Sequence, residues 1–585
     1  SWDVRLIAGP IFSREVLTLP RQFRHYLIRS GYIGLLFVLL WTAGQVTFGF
    51  QDVRGISAMA GFGQQAFQIL GFVQLSLVLF FSLLFTAGNI AQEKDRQTFI
   101  LLLMTDLSNH EIVLGKLFAS VLQVGTLILV SAPVFFFLQL LGGIAAYQIF
   151  WLIVICFVTA LLSGSWAALI AFWKEKTFQT LATSVLGLVV YLGVIETAIA
   201  LAPAHSIFAE WAAAFSPFRA ILEITSPLAD PLVTSPSSLP AMDSVIALCL
   251  LSAALTAISI NRLRIWNPSR KLFIQPETES GASESGEMTT VVRHRRIWSN
   301  PVIWREMRTR AYGRRTVFIK LAYLMMAATI FYSTIMSGDS GDLILGMVSG
   351  PVFAFVSLGI LGLMLINAQA ATSITSERDG QTLDLLVATD ITAKEFVYGK
   401  LGGVFYNTKE LALVPLAIAV WFVVEGSMSI ENGIYLGIGF LALVAFAAML
   451  GLHSGLVFWS SRQAIANSMG TIFFLFIGIF ILMILLVETR GSFGNQIGAF
   501  ILFIGVGSLG LGQSLTYRNP SPALWMAGGL LPVLTFYAIT TFLLGGTLGV
   551  SLAIAAAYGF TTLAMLVPAV SEFDVALGRS TSDKG

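Results

Sequence analysis

Asn89 to Leu117 reads NIAQEKDRQTFILLLMTDLSNHEIVLGKL, and Ser373 to Leu401 reads SITSERDGQTLDLLVATDITAKEFVYGKL. The two stretches align end to end without a gap, and 14 of the 29 positions are identical. The identities include Glu93/Glu377, Asp95/Asp379, Gln97/Gln381, Thr98/Thr382, Leu102/Leu386, Thr105/Thr389, Asp106/Asp390, Glu111/Glu395, Gly115/Gly399 and Lys116/Lys400. Most are polar, and the chain around them is mostly hydrocarbon. Anchoring a loop at a membrane surface requires charge but no particular order. An ordered, duplicated polar segment in such a chain therefore reads as a docking device used twice.

The rest of the composition sets the class. The 585 residues are 56% hydrophobic and 11% charged, with a mean hydropathy of +0.82. Soluble domains average about 25% charged residues, so this is an integral membrane protein of the all-α, polytopic kind. Several apolar runs exceed the roughly 18 residues that span about 30 Å of hydrocarbon. The net charge of +2 gives no reason to expect a nucleic-acid partner. Cys156 and Cys249 lie in apolar runs and read as small core residues. The five histidines show no ligand spacing, so no metal is expected. The N-terminal segment holds Arg5, Arg14, Arg21, Arg24 and Arg29 and no apolar core, so no cleavable signal peptide is expected.

Apolar runs predict spans near 31–50, 68–90, 113–138, 146–172, 181–202 and 241–260, then near 316–337, 347–371, 405–424, 434–458, 465–487 and 548–570. The region 490–547 holds two further apolar stretches. They read either as a re-entrant insertion, giving twelve spans, or as two more spans, giving fourteen. Twelve is the preferred count. On that topology 30 of 34 Lys/Arg fall at one face, with only Arg54, Arg219, Arg490 and Arg518 outside it. The positive-inside rule makes that face cytoplasmic, with both termini and both repeated segments on it.

The chain divides into 1–265, a Ser/Gly/Glu-rich linker at 266–292 that reads as disordered, and 293–585. The duplication reaches beyond the two polar segments. Gly9 to Glu15 matches Asn300 to Glu306 in its proline and its Arg-Glu pair, and Gln179 to Ser184 matches Gln463 to Ser468. Each half thus has a basic pre-span segment, two spans, the charged segment and four spans. With an even number of spans per unit, the two units run parallel.

Within each repeat, Asp95 or Asp379 is placed to cap a short helix over Thr98–Met104 or Thr382–Ala388. Phe99, Leu102 and Leu103 give it an apolar stripe. After a turn at Thr105-Asp106 or Thr389-Asp390 comes a capping box, Ser108 to Glu111 or Thr392 to Glu395, which starts the next span. The expected device is a short surface helix joined rigidly to two spans.

This pattern resembles the permease subunits of type 2 ABC exporters. Their loop between the second and third spans has the approximate form E-x-x-x-G-T-L-x-L-L-L-x-x-P-L-S-x-x-E-I-x-x-G-K. The matched residues are Glu93, Thr98, Leu101, Leu102, Leu107, Ser108, Glu111, Ile112, Gly115 and Lys116. In the second copy they are Glu377, Thr382, Leu383, Leu385, Leu386, Thr392, Glu395, Gly399 and Lys400. Asp106 and Asp390 stand where that family has proline, and Gln97 and Gln381 where it has glycine. The resemblance implies two six-span permease domains fused in one chain, each with an amphipathic pre-span helix and a coupling helix that docks on an ATPase. It places Glu93, Asp95, Thr98, Leu102, Asp106, Glu111, Lys116, Glu377, Asp379, Thr382, Leu386, Asp390, Glu395 and Lys400 in the two coupling segments. The bacterial inner membrane is the expected location, with additional periplasmic or membrane subunits as further partners.

No G-x-x-x-x-G-K-[ST] motif occurs, and no catalytic constellation is recognisable. The resemblance therefore implies that ATP and Mg are bound by a separate ATPase subunit, acting as a dimer, and that this chain is not itself an enzyme. Polar residues inside spans are the remaining candidates. Glu196 is read as pairing with Arg219 or lining a path, and Gln369 and His453 as path or gate residues. Lys409 and Glu410 read as an interfacial pair. The counterpart of Glu196 in the second half is Phe480, so the halves differ there. Two other readings stand beside the exporter: an ABC complex doing mechanical or lipid-extracting work, and an ion-driven secondary transporter built of parallel repeats.

Overall fold

A computed structural model describes residues 9–14, 23–48, 55–201, 207–225, 241–267, 300–308, 316–336, 350–380, 382–383, 391–426, 428–488, 493–518 and 521–571. The described residues are helical throughout, with short turns and no strand. The linker and the second short helix, with Leu386 and Asp390, lie outside the described residues apart from Trp266, Asn267, Thr382 and Leu383.

After the short helix over 9–14 (α1), the first half contains α2 (Phe23–Phe48), α3 (Ile56–Asp95), α4 (Thr98–Leu103), α5 (Asn109–Leu141), α6 (Ala146–Trp173), α7 (Thr177–Leu201), α8 (Ile207–Ala214), α9 (Pro217–Thr225) and α10 (Met242–Trp266). The second contains α11 (Pro301–Arg308), α12 (Thr316–Met336), α13 (Gly350–Asp379), α14 (Ala393–Val424), α15 (Ile430–Val457) and a long helix with a π-helical middle. That long helix runs as α16 (Ser461–Ile472), the π segment Phe473–Gly478 and α17 (Ile479–Glu488). It is followed by α18 (Phe493–Leu515), α19 (Pro522–Leu543) and α20 (Thr547–Ser571).

Thirteen of these helices are long and apolar enough to cross a membrane, counting the α16–α17 helix as one. The chain is a multi-pass membrane protein. Helix α12 takes the place of α2 in the repeat order, although its apolar stretch Ile319–Tyr332 falls below that length. The preference for twelve spans gives way to the larger alternative, because 490–547 forms two crossing-length helices of 23 and 22 residues rather than a re-entrant insertion. The added pair moves Arg518 to the charged end. Its Nη1 donates to Val457 O at 3.4 Å, and its guanidinium lies 4.2 Å from the Trp459 ring. Counting Arg518 with that end makes the charge asymmetry expected from the sequence sharper by one residue than on the twelve-span topology.

The two halves pack alike. Helix α6 sits between α3 and α10, and α15 sits between α13 and α20. The first helices cross over, α2 packing on α18 and α12 on α7. One apolar core runs through both halves. Between spans, small residues allow close backbone approach, the usual means of helix association in lipid. A Cβ at Gly451 would sit 2.4 Å from Asn367 O, so any side chain there forces α13 and α15 apart. Helix α3 has 40 residues, about 60 Å at 1.5 Å per residue, roughly twice the hydrocarbon thickness. Its polar end, Asn89 to Asp95, is therefore continuous with a span.

Candidate functional site

The repeated polar residues build the same bonds twice at the charged end. Lys116 donates to Glu93 and Lys400 to Glu377, tying the end of the second span of each half to the start of its third. Thr177 donates to Asp95 and Ser461 to Asp379, tying the same end to the start of the fifth span. Lys94 Nζ donates to Phe172 O at 2.6 Å and Lys174 O at 3.0 Å, and Arg378 Nη1 to Gly455 O at 3.1 Å. Each cation satisfies orphan carbonyls where the fourth span ends, at the negative pole of its helix dipole. Thr98 Oγ1 and Thr382 Oγ1 donate to the carbonyls of Glu93 and Glu377.

Both capping boxes form. The Ser108 backbone N donates to Glu111 Oε2 at 2.8 Å, and the Thr392 backbone N to Glu395 Oε2 at 3.0 Å. Asp95 does not cap the short helix as expected. It ends α3 and accepts from Thr177, while the residue before α4 is Gln97, held left-handed at φ 61°. That conformation suits glycine better than glutamine.

Helix α4 is shorter by one residue than predicted, and its two faces differ sharply. Phe99 and Leu103 are 2% and 6% exposed, packed among Ile11, Ile90, Ile112, Val113, Phe172 and Leu263. Leu101 and Met104 on the other side are 64% and 56% exposed. Asp106, Thr105 and Gln97 share that exposed surface, and Leu102 is half-buried. The segment is clamped to the last span of its half by Arg264, whose Nε donates to Asn109 Oδ1 at 2.8 Å and Nη2 to Leu107 O at 3.2 Å. Asn109 Nδ2 in turn donates to Ile260 O at 3.1 Å.

The pre-span helix α11 completes the second copy. A Cβ on Gly399 would lie 2.6 Å from Val302 Cβ, so the glycine admits the helix against α14. Asn300 Nδ2 donates to Glu395 O at 2.9 Å. Arg305, Glu306, Glu377 and Lys400 then form a neutral cluster. Lys400 Nζ is 2.7 Å from Glu306 Oε1 and 2.6 Å from Glu377 Oε1, while Arg305 contacts both carboxylates. Sequence reading missed Arg305 and Glu306 as members, although the Arg-Glu pair recurs in both halves.

Burial opposes the Glu306 carboxylate, but Lys400 and Arg305 outweigh it and hold its pKa below the usual carboxylate range. A depressed folded-state pKa contributes stability above the unfolded value and loses it as pH falls through the folded value. Acidification towards about pH 4 is therefore expected to destabilise the chain, and Glu306→Gln to flatten part of that loss. Thermal midpoints of both proteins against pH check this, and equal slopes would contradict it.

The halves meet at this end. Arg96 Nη2 lies 3.2 Å from Asp379 Oδ1, and Arg462 Nη1 donates to Asn89 Oδ1 at 2.6 Å. The positions equivalent to Arg462 and Asn89 are Phe178 and Ser373, so the reciprocal contact lacks that polar bond. There a cleft of about 720 Å³ opens, bordered by Lys94, Gln97, Phe178, Glu175, Ser373 and Glu377 among others.

Four candidates lie elsewhere. Glu196 accepts from Arg219 at 2.7 Å and 3.1 Å and from Ser216 Oγ at 3.1 Å, with both members of the pair over 40% exposed. His453 Nε2 is 3.0 Å from Leu515 O, joining α15 to α18. Gln369 is fully buried with neither amide atom hydrogen bonded. Such a group costs about 1–3 kcal/mol, so Gln369→Met is expected to raise the thermal midpoint. A lowered midpoint would show a hidden partner. Glu410 pairs with Lys320 at 2.7 Å, not with Lys409, whose ammonium lies over the Tyr406 ring.

Among the described residues no group of three or more His, Cys, Asp or Glu could hold a metal ion. No family model and no curated protein matches the chain.

Proposed function

We propose that the chain is the membrane-spanning component of an ATP-driven exporter, with two permease units of the type 2 ABC kind fused in one polypeptide. In this reading the charged end faces the cytoplasm of a bacterium, and both termini lie there. A separate ATPase dimer binds ATP and Mg and grips the two repeated segments. Its closure and opening push on short helices that are continuous, through α3 and α5, with the spans.

The observation that supports this most is the seat of α4. Its buried face is locked into the ends of four spans while Leu101 and Met104 present apolar surface outward. Buried and exposed apolar faces on one short helix are what a force-receiving contact requires. The duplicated ion pairs stiffen the seat, so displacement of the helix moves the spans instead of bending the loop.

The test is purification of the full chain from its native membranes. An ATPase subunit carrying a nucleotide-binding motif is expected to co-elute, and ATP hydrolysis in proteoliposomes is expected to need both. Transport by the chain alone, driven by an ion gradient and stopped by ionophores, would overturn the reading.

A further inference from the structure

At the end of the bundle opposite the repeated segments, the second half carries a partly open cavity of about 310 Å³. Its walls come from α13, α15, the π segment with α17, α19 and α20, and include Phe355, Phe440, Phe476, Phe480, Ile554 and Tyr558. Of the polar side chains at its border, Thr535, Tyr558, Ser357 and Thr547 are already bonded, and the Tyr435 hydroxyl has no described partner. Thr535 Oγ1 and the Tyr558 hydroxyl are 2.6 Å apart, Ser357 Oγ donates to Phe353 O at 2.7 Å, and Thr547 Oγ1 to Asn432 Oδ1 at 2.7 Å. Such walls offer no charged side chain to an ion and few of the partners a buried water needs.

The first half fills the equivalent place. There α9 lies between α3 and α6, with Ala220, Ile221 and Ile224 at most 2% exposed and Gln148 Nε2 donating to Ile224 O at 2.7 Å. Gly71, the counterpart of Phe355, faces Ile221. No described helix plugs the second half. Two sequence differences widen the space, since Gly359 and Gly439 stand where the first half has Leu75 and Ile155.

We propose that this cavity holds one acyl chain of a membrane phospholipid. Its volume equals about ten groups the size of a water molecule or methylene, using roughly 30 Å³ each. That is too little for a helix, which is about 10 Å across with its side chains. The surrounding bilayer supplies the chain laterally. Phe353 and Val356 line the cavity yet are 43% and 36% exposed, so it communicates with the surface that faces lipid. The π segment carries Phe476 into the wall, a register shift that regular helix would not give and that commonly marks functional sites. Phe480 lies one turn beyond, where the first half has the ion-paired Glu196.

The test uses the full chain in nanodiscs with a phosphatidylethanolamine bearing a photoactivatable group on its acyl chain. Label is expected on the peptides holding Phe476, Phe480 and Tyr558, in excess of the ordinary lipid-facing surface at Leu250, which is 66% exposed. Gly439→Ile copies the first half, and its Cβ meets only ordinary contacts at 3.7 and 3.8 Å. Excluding about two methylenes of chain at about 0.8 kcal/mol each should cut that label about tenfold. Should Gly439→Ile fail to fold, competition by excess unlabelled phospholipid in the wild-type chain gives the same readout. Label equal to that at Leu250, label unaffected by Gly439→Ile or by competitor, or label obtained only from a photoactivatable lipopeptide would each overturn the proposal.

Discussion

Lys400→Met is expected to cost the chain about 3–5 kcal/mol, the penalty for removing one member of a buried ion pair. Lys400 is 1% exposed and Glu306 is 2% exposed, so the Glu306 carboxylate does not regain water when the ammonium is lost. Glu306 and Glu377 would face each other across the vacated position with Arg305 alone between them. The equivalent change in the first half, Lys116→Met, should cost less, because Glu93 is 28% exposed and can hydrate. Thermal midpoints in detergent compare the two. Adding Glu306→Gln to Lys400→Met should recover part of the loss, since it removes the stranded charge. Equal midpoints for the two single variants would contradict the cluster's weight.

Replacing Leu101 and Met104 by glutamate, together with Asp106→Arg and Asp390→Arg, is expected to abolish co-purification of the ATPase while membrane insertion and thermal midpoint stay near wild type. The first three positions are exposed and take no described part in the seat, so their loss touches recognition rather than folding. Asp390 is changed as the sequence counterpart of Asp106, because a dimeric partner holding one segment would otherwise mask loss of the other. Interface residues at the centre of a contact commonly cost about 2 kcal/mol or more each, so four changes exceed any moderate affinity. Charge reversal at Glu93 or Glu377 is a poorer probe than the sequence suggests. Both carboxylates spend their charge inside the fold, on Lys116 and on Lys400 with Arg305, and their loss would loosen the seat itself.

That distinction marks where sequence reasoning runs out. The constant offset between the two copies, most of the spans and both capping boxes are legible, because they depend on local order and apolar period. The expected short helix is close to the observed one, Thr98–Met104 against Thr98–Leu103. Identity between copies does not say which way a side chain turns. Asp95 looks like a helix cap until Thr177, far along the chain, is brought beside it. The count of spans fails at 490–547 because Arg490 and Arg518 flank an apolar stretch, and parity alone lets that pair of helices be left out. The contact of Arg518 with Val457 resolves the point, and it depends on tertiary packing no local window contains. The apolar cavity is visible in sequence only as an unexplained asymmetry, Phe480 against Glu196.

The most direct measurement is site-specific photocrosslinking in native membranes. A photoreactive residue at Leu101 or Met104 should crosslink to the ATPase subunit, with a yield that changes between nucleotide-free and ATP-bound states. The same probe at Leu140, which is 82% exposed at the opposite end of α5, should give no such adduct. Adducts to the ATPase at Leu101 and Met104 alone fit a coupling helix in its groove. Adducts to the ATPase from Leu140, or none from Leu101 and Met104 in membranes that contain it, would contradict the account.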